Sequence, residues 1–220
     1  MTNQNIRISD LKENCIHHIV YVGLERGDLI IALARTAAAA GLKVAVADLS
    51  ITHDLYEAYK DGIDDGIVER GNVTIAKNRV LSDASECDIY IEYIGLRDIP
   101  IDKKVEYLIT ACTPNRQVIE RVARTLSVEY DTRFILLRDY DGKYTVKDIC
   151  HDMKVTDKTL ISTVRADLKE ISNYDYFTRN NAIKLVKVFT ASAPVFFSIA
   201  SDVIKMPEKQ LSKVIKKNRI

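Results

Sequence analysis

Residues 19–50 read IVYVG-LERGD-LIIALARTAAAAG-LKVAVADLS. A β-branched apolar run closes on Gly23, a short polar loop follows, a Leu/Ile/Ala-rich stretch ends at Gly41, and a second apolar run ends at Asp48. Both runs are the near-continuous apolar pattern of parallel strands covered on two faces. The middle stretch predicts a helix over 28–40, with Gly41 as its stop signal and Ala37 to Ala40 allowing close packing on a sheet. Strand, tight loop, helix, strand is the layout of a βα unit, whose first turn is where open parallel sheets hold phosphates.

The loop itself lacks the groups a phosphate needs. A P-loop wraps phosphates with the N–H groups of glycines, adds a lysine for the β/γ-phosphates, and places a Ser/Thr hydroxyl on Mg²⁺. Counting back from Gly41, that loop falls on Gly23-Leu24-Glu25-Arg26-Gly27-Asp28. Arg26 stands for the lysine, Gly27 for the hydroxyl, and Glu25 for a glycine. A carboxylate beside a polyphosphate is repulsive without a cation between them. Two readings of Arg26 follow: a phosphate grip, or a loop arginine paired with Glu25 or Asp28. A capping carboxylate at Asp28 would occupy the N–H groups an anion needs. Asp48, at the carboxyl end of its strand, is either a relic Mg²⁺- or water-positioning acid or a cap for a helix starting near His53 or Asp54.

Further strands are expected at 88–95, 106–113, 133–140 and 184–191, and helices at 115–127, 145–153, 157–171 and 194–205, the last opened by Pro194. Residues 62–82, with Gly62, Gly66 and Gly71, break the βα rhythm and predict a short hairpin or edge strand. The alternation predicts an α/β fold, a mainly parallel doubly wound sheet of about seven strands flanked by helices. Residues 1–206 are expected to form one domain and 207–220 a basic C-terminal tail.

The chain has 220 residues, 47% hydrophobic and 29% charged, and its 32 basic and 31 acidic residues leave a net charge of +1. No global field pulls it toward DNA or membrane. The N-terminus has no apolar signal region and no apolar stretch is long enough to span a bilayer, so a cytoplasmic location is expected. Cys15, Cys87, Cys112 and Cys150 are scattered, and the first three read as small buried hydrophobes. His17 and His18 would point to opposite faces of a strand, and no metal site is expected.

The order of elements resembles the MinD/ParA-like deviant P-loop ATPases, and among them the CpaE/TadZ pilus-localisation type. The similarity rests on Leu33-Ala34, Ala38, Gly41, Lys43-Val44 and Asp48-Leu49-Ser50, on Ala111-Cys112-Thr113-Pro114, and on Val186 to Ala191 followed by Ser192-Ala193-Pro194 and a helix through Ile204. Ser50 replaces the family's second acid. The departures are heavier. The family's signature lysine falls on Tyr21 and the Walker lysine on Arg26, whose planar fork is no substitute for a compact ammonium. The Walker-B aspartate falls on Tyr93, with Glu92 one residue off and so turned to the other face. The base-reading asparagine falls on Arg138.

The resemblance implies a degenerate Walker A motif and a pseudo-ATPase acting as a scaffold or localisation factor. Its implied partners are a motor ATPase of a pilus, secretion or conjugation system, and a second copy through the nucleotide face. No catalytic residue and no cofactor is expected; Gly23, Glu25, Arg26, Gly27, Asp28 and Asp48 mark the relic nucleotide site. Two alternatives stay open: a nucleotide-binding or slow ATPase using Mg²⁺-ATP with Arg26 and Asp48, and a DNA-binding partition accessory using 145–171 as a helix-turn-helix. Acidic Asp148, Asp152, Asp157 and Asp167 argue against nucleic acid. The tail, with Leu211, Val214 and Ile215 among lysines, reads as a solvated helix rather than a membrane anchor.

Overall fold

The computed structural model describes residues 17–60, 65–79, 87–99, 101, 104–113, 115–124, 129–139, 146–152, 159–165 and 193–218. Their order is β1 (His17–Gly23), α1 (Gly27–Ala39), β2 (Val44–Asp48), α2 (Asp54–Tyr59), β3 (Ile67–Arg70), β4 (Val73–Lys77) and β5 (Ile89–Gly95). There follow β6 (Val105–Cys112), α3 (Arg116–Arg124), β7 (Tyr130–Asp139), α4 (Val146–Asp152), β8 (Thr159–Arg165), α5 (Ala193–Ile204) and α6 (Glu208–Asn218).

The strands form one sheet in the order β3-β4-β2-β5-β1-β6-β7-β8. All neighbours are parallel except β3 and β4, the hairpin expected within 62–82, which turns at Gly71-Asn72. β1 sits between β5 and β6 and is buried from both sides. Ile19 and Tyr21 join the core under α1, α5 and α6, while Val20 and Val22 join the core under α3. The chain leaves β1 toward β2 on one side and later crosses to β6 on the other. That reversal opens a crevice at the carboxyl end of β1, the position where open α/β sheets carry ligands.

Helix α1 is buried nearly all round, sandwiched between the sheet and α5 and α6. It ends as its sequence signals. Gly41 has φ 97°, its amide donates to Ala38 O (3.0 Å), and Leu42 N donates to Ala37 O (3.1 Å). This is the Schellman pairing, which needs the left-handed residue glycine adopts most easily. α6 turns Leu211 and Ile215 into the same core, so the segment after 207 packs as part of the layered structure.

One expectation is overturned. Residues 157–171 were expected to be helical, yet Thr159–Arg165 pairs parallel with β7 from Arg133↔Thr159 to Asp139↔Arg165. The stretch TLISTVR is rich in β-branched residues, and a short apolar run fits both periods until a neighbouring strand decides it. The helix-turn-helix over 145–171 therefore has a first helix, α4, but no second one over 159–165. The strand expected at 184–191 lies outside the described residues. Seven parallel strands are reached with β8 and β4, and β3 is added antiparallel at the edge.

The two adjacent histidines face opposite ways, as a strand requires. His17 Nδ1 lies 2.9 Å from Glu106 Oε2, and His18 Nε2 lies 3.1 Å from Glu92 Oε1. Cys87 and Cys112 are buried and form no disulfide among the described residues. No helix of the described residues is long and apolar enough to cross a membrane.

Two substitutions test this packing. Gly23 has φ 116°, and a Cβ there would overlap the Ala111 carbonyl oxygen on β6. Gly23→Ala should therefore lower stability by about 3 kcal/mol in chemical denaturation. Thr36, on α1, is fully buried and its hydroxyl has no hydrogen-bond partner among the described residues. Thr36→Val keeps the shape, removes the orphan, and should raise stability by about 1 kcal/mol.

Candidate functional site

The loop between β1 and α1 sits in the crevice and is tied down by groups from the sheet beneath it. Register places Tyr21 of β1 directly beside Tyr93 of β5, with ring centroids 5.1 Å apart. Both side chains are fully buried on the α1 face. Their hydroxyls reach the loop from below: Tyr21 Oη donates to Leu24 O (2.5 Å), and the Arg26 amide donates to Tyr93 Oη (2.8 Å). Burial holds the Tyr21 phenol well above the usual tyrosine range, the Arg26 charge offsetting part of that. It is a neutral hydrogen-bonding group at any ordinary pH.

Arg26 turns back on its own loop. Its Nε donates to Asp28 Oδ1 (2.9 Å) and its terminal nitrogen to Asp28 Oδ2 (3.0 Å), a two-pronged fork. The Asp28 side chain is 1% exposed and that of Arg26 15%. Arg26 is thus paired with Asp28, one of the two carboxylates expected for it, and the pair lies largely below the surface. Asp28 thus spends both oxygens on a guanidinium, and the capping role considered for it is not what it does.

Glu25 and Gly27 are engaged with the far wall. Glu25 Oε2 accepts from Thr52 Oγ1 (2.7 Å), and the Glu25 stem packs on Gly95 at the end of β5. Asp54, the first residue of α2, brings its carboxylate oxygen into the space a side chain at Gly27 would take, so a larger residue there would have to push that carboxylate aside.

Asp48 is fully buried at the end of β2. Its Oδ1 accepts from Ser50 N (3.2 Å) and Ser50 Oγ (2.6 Å), and its Oδ2 accepts from the Tyr56 amide (2.9 Å) in the first turn of α2. His53, held in the left-handed region at φ 50°, places Nδ1 3.8 Å from Asp48 Oδ1. Of its two readings, Asp48 takes the capping one: it fixes the turn 48–53 and the start of α2. Ser50, which replaces an acid in the resemblance, is the residue that bridges Asp48 to the His53 amide (3.0 Å).

Glu92 lies on the other face, as its one-residue offset requires, with Oε1 on His18 and Oε2 buried without a donor among the described residues. The sequence reading marked Tyr21 and Tyr93 only as losses, and it did not anticipate Thr52 and Asp54 as loop contacts. The available signal was the matched placement of a tyrosine two residues before the closing glycine in both β1 and β5. Among the described residues no three His, Cys, Asp or Glu side chains are grouped to hold a metal ion.

The fold has solved counterparts. A ParA family ATPase from Chlorobium tepidum TLS superposes with TM-score 0.57 at 12% identity, over 86% of this chain and 98% of the other. A chain of the MinC:MinD cell division protein complex from Aquifex aeolicus gives TM-score 0.56 at 16% identity, over 86% and 94%. The chain shares its fold with these two structures. No protein-family model and no curated protein sequence matches the chain.

The closure can be measured. Tyr93→Phe removes the acceptor of the Arg26 amide and should cost about 1–3 kcal/mol in urea denaturation. Asp28→Ala, which removes the carboxylate that accepts both prongs of a largely buried guanidinium, should cost about 3 kcal/mol. Arg26→Met combined with Asp28→Leu should cost clearly less than Asp28→Ala alone, because the pair's desolvation is then removed as well.

Proposed function

We propose that this chain is a pseudo-ATPase, a ParA/MinD-type fold that works as a scaffold or localisation factor without nucleotide turnover. The observation that carries the reading is the engagement of the loop by the protein itself: Tyr93 takes the Arg26 amide and Asp28 takes the Arg26 guanidinium. The groups around the loop do not fit Mg²⁺-triphosphate. The basic side chain at the lysine position is neutralised, and the carboxylates of Glu25, Asp28 and Asp54 crowd the space. Asp48, the acid best placed by sequence for Mg²⁺, has both oxygens in the α2 cap.

A nucleotide switch works by contacts that differ between the triphosphate and its product. With no such contact at this loop, association with partners is constitutive. By the resemblance in sequence, the partners are a motor ATPase of a pilus, secretion or conjugation system and a second copy of this chain through the crevice face.

Thermal unfolding with Mg²⁺-ATP tests the reading. A ligand at a hundred times its Kd adds about 2.7 kcal/mol of stability. No shift is expected here, and a clear shift would favour the nucleotide-binding alternative. The double variant Glu25→Gly with Arg26→Lys should remain without measurable turnover, since Tyr93 still stands where an acid is needed; phosphate release from it would overturn the proposal.

A further inference from the structure

α6 carries a charge pattern that neither the fold nor the crevice uses. Lys209, Lys213, Lys216 and Lys217 are all exposed. At 3.6 residues per turn they fall within an arc of about 100°, directly opposite Leu211 and Ile215, which are buried. Elsewhere Lys60, Lys77, Lys104 and Lys205 each pair with a carboxylate. The four lysines of α6 have no carboxylate partner among the described residues. Glu208 is the helix's one acid, and its i+3 and i+4 neighbours are Leu211 and Ser212, so it does not neutralise the row.

The helix dipole explains only part of the row. Lys216 and Lys217 lie in the last turn, where cations are favourable, but Lys209 lies in the first turn, where a cation is opposed. The row therefore runs the length of the helix against the local electrostatic preference at one end. It is also presented rigidly, because Leu211 and Ile215 anchor α6 on α1 and α5.

We propose that this lysine row is a docking face for an acidic segment of a protein partner; the proposal rests on the scaffold reading and names the chemistry of what is scaffolded. Three features favour a polypeptide. The helix's aliphatic anchors face the core and leave nothing to insert into lipid, as interfacial helices do. The row holds no aromatic ring on which a base could stack. It also holds no arginine fork for bidentate phosphate contact, only compact ammonium charges that suit carboxylates at variable spacing.

Fluorescence anisotropy of a labelled oligo-glutamate peptide with the full chain tests this. Wild type should bind in a salt-dependent way, and the quadruple variant Lys209→Gln, Lys213→Gln, Lys216→Gln, Lys217→Gln should bind about tenfold or more weakly. A control, Lys43→Gln with Lys147→Gln, changes exposed lysines off α6 and should bind like wild type. Circular dichroism and the melting temperature should be unchanged in all, since the altered side chains face solvent. Absence of peptide binding, equal binding by the quadruple variant, or tighter binding of wild type to a short DNA duplex or to phosphatidylserine vesicles would overturn the proposal. A Mg²⁺-ATP stability shift would instead sink the pseudo-ATPase reading and leave the peptide result untouched.

Discussion

The hydrogen bond from the Arg26 amide to the Tyr93 hydroxyl joins the loop to the strand that flanks β1. It exists because β1 and β5 run parallel with Tyr21 opposite Tyr93, so two phenols stand side by side under one turn of chain. In a loop built to receive phosphate, the amides stay open and wait. Here one amide and one carbonyl are already held by hydroxyls whose rings are fully buried in the core. Each neutral bond contributes only about 1 kcal/mol net, but an opened, dry amide costs about 1–3 kcal/mol. The energetic asymmetry keeps the turn closed.

Charge follows the same logic. The loop holds one cation and meets three acids: Glu25 within it, Asp28 in the first turn of α1, and Asp54 across from it. The Arg26–Asp28 fork neutralises the cation, and Thr52 satisfies one oxygen of Glu25. Asp48 stands apart, enclosed, as the keystone between β2 and α2.

Much of this was legible in the residues. β1, α1 and β2 could be read directly because a long apolar period, a polar loop and a Schellman glycine all agree, and local agreement across levels is what makes an element readable. β8 was not readable. TLISTVR satisfies a helical and an extended pattern alike, and only β7 alongside settles which one wins. The crevice was located by sequence and the absence of a lysine was plain. Its filling was not, because the partner of Arg26 N is 67 positions away and depends on the register of a crossover connection. Asp28 illustrates the limit within a single turn. Its position suggested a cap, and the arginine two residues earlier took it instead.

The burial of α1 between the sheet and the helices α5 and α6 has a consequence for how the molecule is made. The helix that follows β1 leaves the ribosome early, yet the surfaces that cover its outer side come from residues 193–218. During synthesis Leu29, Ile30 and Leu33 must therefore wait, wet or shielded by other factors, while most of the polypeptide emerges. Native closure is a late, long-range event, so the nascent protein passes through a prolonged stage in which this apolar helix lacks a roof.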